Sequence, residues 1–198
     1  MPAAEIEACV RPRPLQLTNA RYIEPLFHAD GCPGLSGIYS IINSIRLVLA
    51  DRRPLSSSDE HELIKASFKF LEGRVSLEQA NLSGMRLPLW RGLGEALCAA
   101  SRSRFRCFVW FEKLHLSEPM DESSVFVAID NALVKQRAVL MLMRGGHYTV
   151  IKASRPSSLS LFDSSGAYWI AKRGISIRRR ELNSRHFLLP ASFHTVRW

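Results

Sequence analysis

The chain has 198 residues, 46% of them hydrophobic, and a formal net charge of +9. That is enough chain for one compact domain and too much apolar content for a disordered one. No apolar run is long enough to cross a bilayer, and the start MPAAEIEACVRPRPLQ lacks the basic-then-apolar pattern of a secretory signal, so the sequence predicts a cytoplasmic protein.

Residues 1–29 read as an irregular N-terminal segment, because Pro2, Pro12, Pro14 and Pro25 oppose a long helix; Leu15–Leu17 suggests a short strand or a segment across a cleft. A central helix is predicted from about Pro33 to Ala50. Leu35, Ile38, Ile42, Ile45 and Leu49 recur there at three- and four-residue steps, and Ile41 and Val48 widen the apolar stripe. Ser57 and Glu60 have capping-box spacing at the head of a second helix that carries Leu63, Ile64, Phe68 and Leu71 and stops near Gly73. Residues 76–81 suggest a further turn, and Pro88 opens a third helix through Trp90, Leu93, Leu97 and Ala100. From Phe105 the run FRCFVWF reads as a buried strand, and a helix is expected over Ser123–Gln136. AVLMLM, HYTVIKA and LSLFD then form three strand-like segments with short turns, an antiparallel meander. The tail, residues 167–198, has His186–Leu189 as its expected last strand. The predicted fold class is a single α+β domain over residues 1–198, with a helical first half packed on an antiparallel sheet from the second.

The four cysteines are Cys9, Cys32, Cys98 and Cys107. None forms a C-x-x-C pair and no histidines stand at zinc-finger spacing, so no metal site is expected. Cys98 and Cys107 sit in apolar patterns and read as buried small hydrophobes. Cys32 differs. It precedes Pro33, which suits the first helical position, so the thiol stands at a helix mouth where the macrodipole favours thiolate. His147 opens one predicted strand and Asp163 ends the next, so an antiparallel hairpin carries imidazole and carboxylate to the same rim. There the carboxylate would hold one ring nitrogen and leave the other for a nucleophile.

Three stretches, DGCPGLSGIYSIIN, RGGHYTVIK and LFDSSG, resemble the papain-like cysteine peptidase superfamily. Within it the nearest likeness is to peptidase C39-like domains, known from leader-peptide processing in bacterial bacteriocin exporters. The likeness spans Asp30 to about Gly166. It implies a papain-like fold whose central helix carries the nucleophile Cys32, with His147 as proton carrier and Asp163 orienting it. That family usually has a glutamine shortly before the cysteine, whose amide helps hold the oxyanion. Here Leu26, Phe27, His28 and Ala29 fill that stretch, leaving Gln16, Asn19 and His28 as candidate donors beside the Cys32 backbone N–H. Pro33 stands where a glycine commonly follows the cysteine, and the helical insertion before His147 is longer than in the exporter domains.

The reading is a thiol hydrolase that cleaves a peptide or isopeptide bond without a cofactor, the resemblance suggesting a Gly-Gly-containing peptide. Acyl transfer to an amine would use the same residues, and an inactive papain-like binding module is the alternative outside catalysis. The basic charge is scattered, with one dense run at Arg178–Arg180 and no stacking or helix-turn-helix signature. It suits a peptide or protein partner with an acidic surface better than a nucleic acid.

Overall fold

Helix α1 (Ser36–Leu49) is sealed on almost every side. Its isoleucines at 38, 41, 42 and 45 and Leu49 are at most 2% exposed, each contributing about 1.5–3 kcal/mol by leaving water. The small polar residues between them satisfy themselves: Ser40 and Ser44 donate back to the carbonyls of Gly37 and Ile41. Asn43 clamps the backbone of Leu26, accepting from its N–H at 2.8 Å and donating to its carbonyl at 3.2 Å. A buried polar group costs little when it is paired in this way. The computed structural model describes residues 15–18, 23–26, 35–76, 84–118, 120–143, 145–177 and 186–198.

Two more helices complete the layer around α1. Helix α2 (Ser57–Leu71) packs against α3 (Leu87–Phe105), and both touch α1. The cap of α2 is Ser56, not Ser57: the Ser56 hydroxyl accepts from the Asp59 N–H while the Asp59 carboxylate accepts from the Ser56 N–H. Three consecutive serines blur the start, and the reciprocal bond to Asp59 decides it. Helix α3 runs on to Phe105 and ends at Arg106, which takes a left-handed conformation with φ of 55°. The FRCFVWF run is therefore not one strand. Its first residue closes α3, Cys107 and Val109 are buried in the link, and only Trp110–Lys113 forms β2.

The remaining strands are β1 (Leu15–Gln16), β3 (Ala138–Met143), β4 (His147–Ser154), β5 (Ser158–Phe162), β6 (Trp169–Ala171) and β9 (His194–Arg197). They pair antiparallel with β2 in the order β2-β9-β3-β4-β5-β6, and β1 adds to β4. The predicted meander is β3-β4-β5. The tail departs from expectation. His186–Phe187 (β8) pairs parallel with Ile175–Ser176 (β7) in a separate small sheet, and the last strand is β9, inserted between β2 and β3. Among the described residues this is a mixed fold of helices and antiparallel sheet.

Period-two alternation sorts the faces of the sheet. Phe111 of β2 and His194 of β9 meet the ring of Trp90, so that face lies under α3. Their neighbours Glu112 and Thr195 turn to the other face, shared with helix α4 (Glu122–Val134), which packs on β1, β3 and β4. Trp90 is fully buried, stacks on Tyr148 at 4.5 Å and donates from Nε1 to the Gly37 carbonyl. One indole thus joins α3, α1 and the sheet.

Candidate active site

His147 begins β4, and Asp163 directly follows the last residue of β5. Because β4 and β5 run antiparallel with Val150 opposite Phe162, the start of one strand lies beside the end of the other. The turn that delivers His147 requires glycine: Gly145 and Gly146 have φ of +88° and +83°. The result is a contact of 2.6 Å between His147 Nε2 and Asp163 Oδ2.

The carboxylate is the sealed partner, with no side-chain exposure, whereas the imidazole is 23% exposed. Burial alone would raise the carboxyl pKa. Hydrogen bonds from His147 and from Ser165 outweigh it and hold Asp163 well below the usual carboxylate range. Ser165 donates to Oδ1 from both its backbone N–H and its hydroxyl, so each carboxylate oxygen has its own partner. An ionised carboxylate only accepts, so Nε2 must carry the hydrogen. Nδ1 is left with its lone pair, and no described residue hydrogen-bonds to it.

Three pieces of backbone meet at this rim. The Ser36 hydroxyl, at the start of α1, accepts from the Tyr148 N–H at 3.2 Å. The Tyr148 hydroxyl donates to the Met85 carbonyl just before α3, at 2.8 Å. In the same loop a Cβ on Gly84 would stand 3.3 Å from the Gly146 carbonyl oxygen. The start of α1, the approach to α3 and the His147 turn are thereby fixed against one another.

No protein-family model and no curated protein matches this chain.

Of the sequence-predicted site residues, the structure brings His147 and Asp163 together. Cys32, four positions before Ser36 in the chain, lies outside the described residues, as do Asn19 and His28. Gln16 is a correction. It sits in β1 opposite Ala153, six residues along β4 from His147, which is roughly 20 Å at the rise of a strand. Its amide cannot reach the His147 rim and is no oxyanion donor there.

The other described thiols are both buried. Cys98 is buried, and desolvation pushes its pKa up to about 12. Cys107 is fully buried beside Arg53 and the Phe105 carbonyl. Among the described residues no group of three or more His, Cys, Asp or Glu could hold a metal ion, and no helix is long and apolar enough to cross a membrane. Two supporting residues escaped the sequence reading. Ser165 carried a signal, since an Asp followed two places later by a backbone donor is a common side-chain turn. Ser36 carried none, because its partner is 112 residues away.

Proposed function

We propose that the chain is a papain-like cysteine hydrolase of peptide or isopeptide bonds, with Cys32 as nucleophile, His147 as proton carrier and Asp163 holding the imidazole. The observation that carries this reading is the 2.6 Å contact between His147 Nε2 and Asp163 Oδ2, made at the rim where α1 begins. It leaves Nδ1 free for a thiol, and Cys32 is the cysteine whose place in the sequence, just ahead of α1, suits it. The burial of Cys98 and Cys107 supports the same choice.

In this reading the Cys32 thiolate attacks the substrate carbonyl and a C–S bond forms. The imidazolium gives its Nδ1 proton to the leaving amine as the C–N bond breaks. Water then attacks the thioester, losing a proton to Nδ1; the C–S bond breaks and the thiolate is restored. Ionised Asp163 stabilises the imidazolium in both halves and keeps the ring from turning.

The test is twofold. Limiting iodoacetamide at neutral pH should label Cys32 ahead of Cys9, Cys98 and Cys107, and His147→Ala should slow that labelling. A mass-spectrometric screen of a peptide library that includes Gly-Gly sequences should show cleavage that Cys32→Ala abolishes. Equal labelling of several cysteines, or cleavage that survives Cys32→Ala, would overturn the reading.

A further inference from the structure

Thr149 stands on β4 two residues past His147, on the same face of the sheet, and is 1% exposed. Val150 pairs with Phe162, so one further step along the hairpin sets Thr149 directly across from Asp163. Side chains opposed in this way have Cβ atoms about 4.5–5.5 Å apart. The Thr149 hydroxyl is sealed from solvent, and it makes no hydrogen bond of ordinary geometry with any described residue. A buried hydroxyl left unpaired is destabilising, and a valine would fill the same space without one.

Of the side chains around it on that face, Met141 on β3 and Ile151 and Leu161 farther along the hairpin are apolar. The His147 ring is turned to Asp163. The side-chain acceptor left for Thr149 is the Asp163 carboxylate. A carboxylate offers about four acceptor sites. Ser165 takes two on Oδ1 and His147 takes one on Oδ2, which leaves one on Oδ2. The Thr149 hydroxyl also helps to hold the Asp163 carboxyl below the usual carboxylate range. We propose that Thr149 is a positioning residue whose hydroxyl donates to Asp163 Oδ2, sharing that oxygen with His147 Nε2. With two donors on each oxygen, the carboxylate cannot turn away from the ring. Its bearing on catalysis rests on the hydrolase reading; the hydrogen bond itself does not.

The experiment follows thermal melting of the full chain from neutral pH down to about pH 2, for the wild type, Thr149→Val and Thr149→Ser. The folded pKa of Asp163 lies below its unfolded value, so a donor to the carboxylate stabilises the fold above about pH 3.9, and this is lost as pH falls through the folded value. Among the described residues His147 is the one ionisable group in contact with Asp163, so a difference in acid slope between variants reports this cluster. Removing a donor lifts the folded pKa toward the unfolded one. Thr149→Val should therefore lose roughly a quarter of the acid-dependent drop that Asp163→Asn removes, the share of one donor in four. Thr149→Ser keeps the hydroxyl and drops the methyl, and should keep the wild-type slope. In proton NMR the His147 Nε2–H resonance should move downfield in Thr149→Val, because Oδ2 then serves one donor only, and should stay in place in Thr149→Ser. If the hydroxyl is merely unpaired, valine removes a buried polar group: melting rises equally at every pH, and neither slope nor resonance moves. That outcome, or a serine variant that shifts as far as the valine one, would overturn the proposal. Neither readout needs a substrate, so a chain that cleaves no peptide yet shows both changes would count against the hydrolase reading and support this bond.

Discussion

Asp163 is a buried carboxylate kept ionised by its neighbours, and this gives it two separable effects. The first is on stability. Its folded pKa lies below the unfolded value of about 3.9, so the stability it contributes is present above that pH and is lost as pH falls through the folded value. Thermal melting of the wild type should therefore drop as pH is lowered below about 4, and Asp163→Asn should flatten that part of the profile. A profile unchanged by the substitution would mean that the pair contributes nothing to folding. The second effect is on the proposed chemistry. An asparagine can still accept from Nε2 but stabilises an imidazolium less and can select the wrong tautomer, so Asp163→Asn should lower the rate of peptide cleavage on the order of 10²–10⁴-fold with the fold intact. Circular dichroism beside the cleavage assay distinguishes this from unfolding. The pair itself was legible in the sequence because a hairpin is a local object: the two strands are contiguous, and their antiparallel run fixes which ends meet. Gln16 was illegible for the opposite reason. Its place depends on pairing with Ala153, more than 130 residues away, which no local pattern encodes.

At the scale of the element, α3 is held to the sheet by a close approach that only glycine permits. A Cβ on Gly94 would stand 2.6 Å from two atoms of the Phe111 ring. That ring cannot swing aside freely, since it is stacked on His194 at 4.9 Å and meets Trp90 edge-on. Gly94→Ala should destabilise by about 1–3 kcal/mol despite alanine's better helix propensity. Urea denaturation measures it, and Phe111→Leu in the same chain should recover part of the loss; additive losses would place the strain elsewhere. Helices α1 and α3 could be read from sequence because their apolar positions recur on one face over more than three turns. β2 could not. The apolar run that contains it is shared by a helix end, a buried link and a strand, and Arg106, a residue without the usual glycine signature, makes the left-handed stop between them.

For the molecule as a whole, the decisive pairing is that of β9, which holds β2 on one side and β3 on the other. A chain cut after Pro190 should lose β2 from the sheet and leave β3 with an open edge, and should aggregate by light scattering. A soluble monomer with native circular dichroism would show that the sheet closes without it. HTVR is too short and too close to Pro190 to announce itself as an interior strand, so the residue pattern points to His186–Leu189 as the last strand instead. The same insertion sets a clock on biosynthesis. Glu112 pairs with Thr195, 83 residues later in the chain. At 5–20 residues per second, roughly 4–17 s of translation separate the two. Throughout that interval β2 has been made and has no strand to pair with, so this sheet is completed late, and a nascent chain is at its most vulnerable while the ribosome is still delivering the strand that closes the gap.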